Sequence, residues 1–288
     1  MVLDNVLEDI DRSLLRGLAL EIGFPSRPSL LADVQTELNR GDPDPRVLAR
    51  LASADAAMSA ALMKLANSPW MGLLRPADTV ERAIMLLGVA QFQAILYELV
   101  LRRTLACNGP AMERFWDTTT KRSTAMFYLA RQHVICPSDV AHTTGLFLDV
   151  GIPLMLSKFN DPKYLETLRM AEKSDQAFTE IERLRHGTDH ALVGASMART
   201  WGVSQTALLV LRLHHEYASL QSERTPRVIR QLIALAVVVD YMIERYQHMH
   251  HSREWEKGGK IAMDVLGLDD YALTEWTEDI HLVFDAGI

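Results

Sequence analysis

Ten histidines and thirty-seven acidic residues supply most of the groups in this chain that could do chemistry. In the second half several stand near one another: Asp149, the pair Asp189-His190, the run His214-His215-Glu216, and Asp240. Imidazoles and carboxylates converging on one cleft are what a two-metal hydrolase needs, because they hold ions that polarise a phosphoryl oxygen and activate water. The spacing contains no local metal motif, however. His214 and His215 are adjacent, so on a continuous helix their side chains point about 100° apart and do not readily share one ion. His248, His250 and His251 read as a surface cluster at a helix end. The residues alone therefore predict hydrogen-bonded or surface imidazoles, with no bound metal, no cofactor and no catalytic group. The chain has no G-x-x-x-x-G-K-[ST] phosphate loop, no G-x-G-x-x-G after a strand and no G-x-S-x-G elbow. Cys107 and Cys136 lie in no paired motif and read as reduced thiols.

The elements that must carry these groups read as helices throughout. Val6, Ile10, Leu14, Leu15 and Leu18 recur at helical spacing, which predicts a first helix over 3–22. A Pro-containing turn, 23–29, precedes a helix over 30–39, and Gly41-Asp42-Pro43-Asp44-Pro45 breaks it. The most strongly punctuated stretch is Ser53 to Gly88. Asp55 caps a helix bearing Met58, Ala61, Leu62 and Leu65 on one face. Pro69 ends that helix, since the residue before a proline is pushed out of the helical region. Asp78, with Glu81 three residues on, opens a second helix in a box-like arrangement, and Gly88 ends or bends it.

A long helix over 89–105 ends at Cys107-Asn108-Gly109-Pro110, which reads as the boundary between two halves. Beyond it, helices are predicted over 111–133, 139–148, 154–159, 164–173, 175–185, 189–201, 204 to the His214-His215 pair, and 227–250, with weaker helices over 253–266 and 271–284. No convincing strand is found, so the chain is predicted to be all-α. Its expected organisation is an N-terminal helical subdomain over 1–108, a second over 109–250, and a helical tail over 251–288.

Net charge is −7, from 30 basic against 37 acidic residues, which argues against direct nucleic-acid binding, for which clustered cations are needed. Arg102-Arg103 and Lys121-Arg122 are the candidates for a local basic patch. No run of about 18 uncharged apolar residues occurs, so no membrane span is expected. The N-terminus is acidic and lacks the apolar core of a secretion signal, which predicts a cytoplasmic protein.

The order of motifs resembles the HDOD family, a bacterial all-helical regulatory module related to HD-domain phosphohydrolases. The stretches that carry the resemblance are FPSRPS, LASADAAMSAALMKLANSPWMG, DTVERAIMLLG, GLFLDVG, HGTDHALVGASMARTWG and LRLHHEY, spread over roughly residues 20–245. The resemblance implies two packed helical subdomains, the second a degenerate HD-type helical bundle. HD enzymes hold metal with a His, a His-Asp doublet and a later Asp. Laid onto this chain, those positions fall at Arg122, at Leu148-Asp149 and at Asp240. Both expected histidines are thus replaced, which implies that the phosphohydrolase activity is lost and that Arg122 neutralises Asp149. His190, His214 and His215 match the family, and without the doublet they are expected to satisfy helix ends and acids across the old cleft.

These readings imply a non-enzymatic signalling protein acting through a protein partner, for example as the output module of a response-regulator pathway. Residues 1–20 are too short for a receiver domain, so such a signal would arrive from another chain. The candidate interaction surface is Asn67, Trp70, Met71, Leu73 and Leu74, unless these residues pack between the subdomains. Two alternatives stand beside this one. The first is a phosphohydrolase using Asp149, His190, His214 or His215, and Asp240 as non-standard ligands. The second is a cleft that binds a nucleotide without cleaving it, with Lys121 and Arg122 meeting the phosphates. The sequence does not fix the oligomeric state.

Overall fold

The computed structural model describes residues 2–68, 75–105, 110–159, 163–249 and 253–286. Among them all regular structure is helical, in eighteen helices. The chain divides into two compact units, one of Pro25–Ala106 and one of Met1–Phe24 with Cys107–Gly287. The first helix therefore belongs with the second half and not with an N-terminal subdomain over 1–108, and 253–286 belongs there too.

The smaller unit contains α3 (Ser29–Leu38), α4 (Pro45–Ser53), α5 (Ala56–Ala66), α6 (Val80–Leu87) and α7 (Val89–Thr104). Asp44 caps α4 through Arg46 N, and Asp55 caps α5 through Ala57 N and Met58 N at 2.9 and 3.0 Å. The cap of α6 is Thr79 and not Asp78: its hydroxyl accepts from Arg82 N at 3.1 Å, because the side chain three residues before that N–H is the one in reach. Gly88, at φ 83°, turns the chain by 113° into α7, which a residue bearing a Cβ would resist. Leu31, Leu48, Met58, Leu62, Ile84 and Phe92 form the core of this unit.

Asn67 has a structural task. Its amide donates to the carbonyl of Ala77 at 3.0 Å and its carbonyl oxygen accepts from Ala77 N at 2.6 Å, which ties together the two ends of the intervening loop. Trp70, Met71, Leu73 and Leu74 lie outside the described residues. The expected basic patches do not form. Arg102 pairs with Glu98, Arg103 with Asp55, Lys121 with Asp117, and Arg122 with Asp149 and Asp240.

The larger unit begins with α1 (Val2–Leu15) and α2 (Leu18–Ile22), separated at Gly17, whose φ of 92° breaks the single helix predicted over 3–22. It continues with α8 (Pro110–Gln132), α9 (Ser138–Phe147), α10 (Gly151–Phe159), α11 (Lys163–Lys173), α12 (Phe178–His186) and α13 (His190–Thr200). It is completed by α14 (Gln205–Leu213), α15 (Ala218–Gln221), α16 (Arg227–Tyr246), α17 (Arg253–Leu266) and α18 (Asp270–Asp285). Helix α16 is the central member: it packs on α8, α14, α17 and α18, and buries Leu232, Ile233, Leu235, Val238, Val239 and Met242. Helix α1 lies on α13 and α14. Together α9 and α10, over 138–159, are long and apolar enough on average to cross a membrane, yet 72% of that window is buried, the environment of a core helix.

Two glycines set the spacing on which the larger unit depends. A Cβ at Gly151 would fall 2.0 Å from the carbonyl oxygen of His190, and one at Gly194 would fall 3.1 Å from Gly151 N. Helices α10 and α13 thus touch backbone to backbone, which brings Asp149, just before α10, up to His190 at the start of α13. Gly151→Ala is expected to force the helices apart and to destabilise the protein by about 3 kcal/mol or more, the upper end of overpacking costs, because the obstacle is main chain that cannot rotate away. Thermal unfolding followed by circular dichroism should show a fall in Tm of roughly 10 °C. A Tm unchanged within error would show that the crossing is not close.

Candidate functional site

All seven positions singled out in the second half, Arg122, Leu148, Asp149, His190, His214, His215 and Asp240, line one cleft of about 280 Å³ in the larger unit. They come from five places in the chain. Arg122 projects from the middle of α8, and Asp149 sits in the turn joining α9 to α10. His190 is the first residue of α13, held there by the Asp189 cap, whose carboxylate accepts from Leu192 N at 2.8 Å. His214 and His215 follow the last turn of α14, and Asp240 lies on α16.

The centre of the cleft is an ion triad. Arg122, with its side chain 7% exposed, places Nη2 2.8 Å from Asp149 Oδ2 and donates from Nε to Asp240 Oδ1 at 2.6 Å. Burial disfavours the charge on Arg122, but Asp240 and Asp149 outweigh that and raise its pKa beyond the already high arginine value. Burial likewise pushes Asp149 up, but Arg122 and the imidazoles of His214 and His190 outweigh it and hold the carboxyl well below the usual range. Leu148, where the resemblance places the histidine of an HD doublet, is 2% exposed in the apolar core and offers no ligand atom.

Beside the triad stand three imidazoles whose outer nitrogens are each anchored. His190 Nδ1 lies 2.6 Å from Glu182 Oε2, which also accepts from the backbone N–H of His190 at 3.0 Å. His214 Nδ1 donates to the Leu211 carbonyl at 2.7 Å, and His215 Nδ1 donates to Glu254 Oε2 at 2.8 Å. The inner nitrogens converge: His190 Nε2 is 3.2 Å from both His214 Nε2 and His215 Nε2, and Asp149 Oδ1 is 3.6 Å from the first two. The prediction that the adjacent histidines diverge is thereby corrected. α14 ends at Leu213, so the pair lies in a turn, with ring centres 4.1 Å apart. Burial lowers the His214 pKa, to about 4; at His190 Glu182 and then Asp149 overcome burial and raise it to about 9.

The carboxylates behind the imidazoles are themselves held. Tyr164 on α11 donates to Glu182, and Tyr217 donates to Glu254, which also accepts from Lys257 Nζ at 2.7 Å. Phe178 stacks on His215 with centroids 5.2 Å apart, fixing the ring plane. Sequence reading missed Glu182, Glu254, Tyr164 and Tyr217. Glu182 and Glu254 sit among other charges in amphipathic helices, and only the tertiary fold distinguishes them. The other flagged groups lie apart from the cluster. Glu216 pairs at 3.8 Å with Arg183, His248 is exposed after α16, and His250 and His251 lie outside the described residues.

The two-metal centre of HD enzymes does not fit these residues. At the positions the resemblance assigns to its imidazole ligands stand Arg122 and Leu148, and the guanidinium of Arg122 bridges the carboxylates of Asp149 and Asp240. A model of the HDOD domain matches residues 24–217, two thirds of the chain. This chain belongs to the HDOD family. Three solved structures share the fold of this HDOD protein. An HDOD domain protein of unknown function from Geobacter sulfurreducens has a TM-score of 0.64 and 17% identity, covering 91% of each chain. A structure from Shewanella amazonensis SB2B, named as a proposed metal-dependent phosphohydrolase, has a TM-score of 0.61 and 18% identity over 95% of this chain and 98% of its own. A proposed signal transduction protein from Marinobacter aquaeolei VT8 has a TM-score of 0.63 and 17% identity over 100% of this chain and 66% of its own. In sequence, an uncharacterized protein of Treponema pallidum (strain Nichols) is 23% identical over 209 residues, 71% of this chain; the match spans 40% of that protein's length.

The triad yields a stability prediction. Arg122→Leu strands two carboxylates in a cleft, and at neutral pH it should cost about 3 kcal/mol, the lower end for a broken buried pair because Asp149 and Asp240 keep 20% and 34% of their side-chain surface exposed. Adding Asp149→Asn and Asp240→Asn should restore most of that loss. Urea unfolding of the single and triple variants checks it, and an Arg122→Leu protein as stable as wild type would refute the pairing.

Proposed function

We propose that this HDOD protein is a non-hydrolytic regulatory module that works in the cytoplasm by binding a protein partner in a signalling pathway. The observation that carries this reading is the guanidinium of Arg122 lying between Asp149 and Asp240. Two-metal phosphoryl chemistry needs ions that clamp the attacking and leaving oxygens, with open positions for water. A guanidinium balances the same carboxylates but has no empty orbital to polarise an oxygen and no exchangeable water to activate. The loss of the histidine at Leu148 points the same way, and the name of the Marinobacter relative agrees with a signalling role.

The nucleotide-sensor alternative has less support. Lys121 does not line the cleft, and both it and Arg122 are paired with acids. The cleft, about 280 Å³, is also just below the range that encloses most small ligands. The hydrolase alternative keeps one argument, the donor set of Asp149, His190, His214 and His215 together with the name of the Shewanella relative.

The experiment that decides is turnover by the purified protein, supplied in turn with Mn2+, Fe2+ and Zn2+, against cyclic dinucleotides, nucleoside phosphates and an aryl phosphodiester. No release above the no-protein background is expected. Metal-dependent turnover that disappears in Asp149→Ala would overturn the reading.

A further inference from the structure

Away from the His/Asp cleft, three helix ends of the larger unit meet around a second cavity of about 520 Å³. Its wall is made by Lys158 and Phe159 at the end of α10, Lys163 at the start of α11, and Arg185 and His186 at the end of α12. Helix α11 packs on both of the others. The chain carries a net charge of −7, yet Lys158, Lys163 and Arg185 line this cavity with no carboxylate among them. Cavities elsewhere differ: Asp9 and Glu216 line one beside α1, Asp78 and Glu81 line one at the start of α6, and Asp264 lines one beside α17.

Helix dipoles explain part of this set. Lys158 and Arg185 lie in the last turns of α10 and α12, where a cation complements the carbonyl end. Lys163 is the first residue of α11, the end at which a cation is disfavoured and an anion favoured. Glu166, the acid in that first turn, pairs with Arg185 at 3.0 Å. Among the described residues Lys158 and Lys163 have no acidic partner, and both are exposed. On the other side of the cavity Phe159 and His186, both half-buried, have ring centroids 4.6 Å apart, and His186 Nε2 lies 2.8 Å from Thr167 Oγ1, which fixes the ring.

We propose that this cavity binds a phosphate-bearing small molecule, with Lys158, Lys163 and Arg185 taking the phosphate oxygens and Phe159 and His186 the organic part. A phosphate ester brings more than one negative charge and three strong acceptors, which match several cations better than a single carboxylate does. The lysines act as mobile point charges and the arginine as a planar fork. Glu166 competes for Arg185, so the two lysines carry most of the affinity. The volume lies within the range of small-molecule sites. On their buried sides α11 and α12 supply Tyr164 and Glu182, the pair behind His190. A ligand that draws the three helix ends together therefore acts on the layer that positions His190, and gives the regulatory module a small-molecule input. That role rests on the regulatory reading above; the binding does not.

The test is calorimetric titration of the full chain with pyrophosphate, adenosine diphosphate and adenosine, with thermal unfolding alongside. Pyrophosphate and adenosine diphosphate should bind and raise Tm, adenosine should do neither, and added salt should weaken binding. Lys158→Gln and Lys163→Gln should each weaken binding by about 10-fold, the loss of one charge-assisted hydrogen bond, and the double variant should abolish it. Both lysines are exposed, so these variants should keep the wild-type Tm without ligand. Lys260→Gln, at an exposed lysine of α17 outside the cavity, should bind as wild type does. Tighter binding of adenosine diphosphate than of pyrophosphate, lost in Phe159→Leu, supports the aromatic side, and equal affinity for the two overturns the organic half of the proposal. No binding by the wild type, or binding unchanged in the double lysine variant, overturns the site and leaves the regulatory reading standing. Hydrolysis of the nucleotide, with binding still lost in the double variant, overturns the regulatory reading alone.

Discussion

The larger unit depends on one buried cation, the guanidinium of Arg122. It is the point at which α8, the α9–α10 turn and α16 meet, and it meets them through two carboxylates rather than through packing alone. An ion pair in a core seldom adds much net stability, since desolvation of both partners offsets their attraction. What it adds is register. Arg122 presents a rigid planar fork, and two acids reach different edges of it only if the three elements take one relative position. Lysine at this place, a point charge on a flexible stem, would balance the charge without fixing the geometry.

Everything else in the cleft works within that constraint. Gly151 and Gly194 let α10 and α13 meet closely enough for Asp149 to serve Arg122 with one oxygen and face the imidazoles with the other. The same contact delivers His190 at the start of its helix, where Asp189 satisfies the first-turn N–H and Glu182 takes both the backbone N–H and Nδ1. Tyr164, Tyr217 and Lys257 then hold the second line of carboxylates. Five elements therefore converge on a space of about 280 Å³ with each ring plane and tautomer set by a named partner.

Much of the fold is legible in the sequence because it is written locally. Asp55, Asp189 and Ser204 each precede a helix and each caps it, and Gly88 and Gly202 stop helices at positive φ. Thr79 and Asp78 are adjacent and both competent as caps, and only the hydrogen bond to Arg82 N distinguishes them. The break at Gly17 was available in the sequence but hidden by the apolar face that continues across it. Tertiary choices were not legible. Nothing local says that α1 packs on α13 and α14, nor that Glu182 and Glu254 turn inward while Glu180 and Glu256 in the same helices face water. The histidine doublet illustrates the mechanism of error. The 100° argument is sound for a helix, but α14 ends one residue before His214, and a helix boundary is the feature that spacing arguments locate least well.

The charge count of the cleft ties the two halves of the site together. Arg122 and Lys257 face Asp149, Asp240, Glu182 and Glu254, two cations against four carboxylates, while Asp189 has its own partner in Arg183. With neutral imidazoles, two negative charges remain in a space largely shielded from water. The three histidines are the groups able to correct that deficit, by taking protons. The rise of His190 to about 9 is the same imbalance expressed at a single ring. With Arg122 and Leu148 where the resemblance places ligand histidines, the cleft still carries an electrostatic demand. Arg122 meets it on one side of Asp149, and the converging Nε2 atoms mark where it must be met on the other.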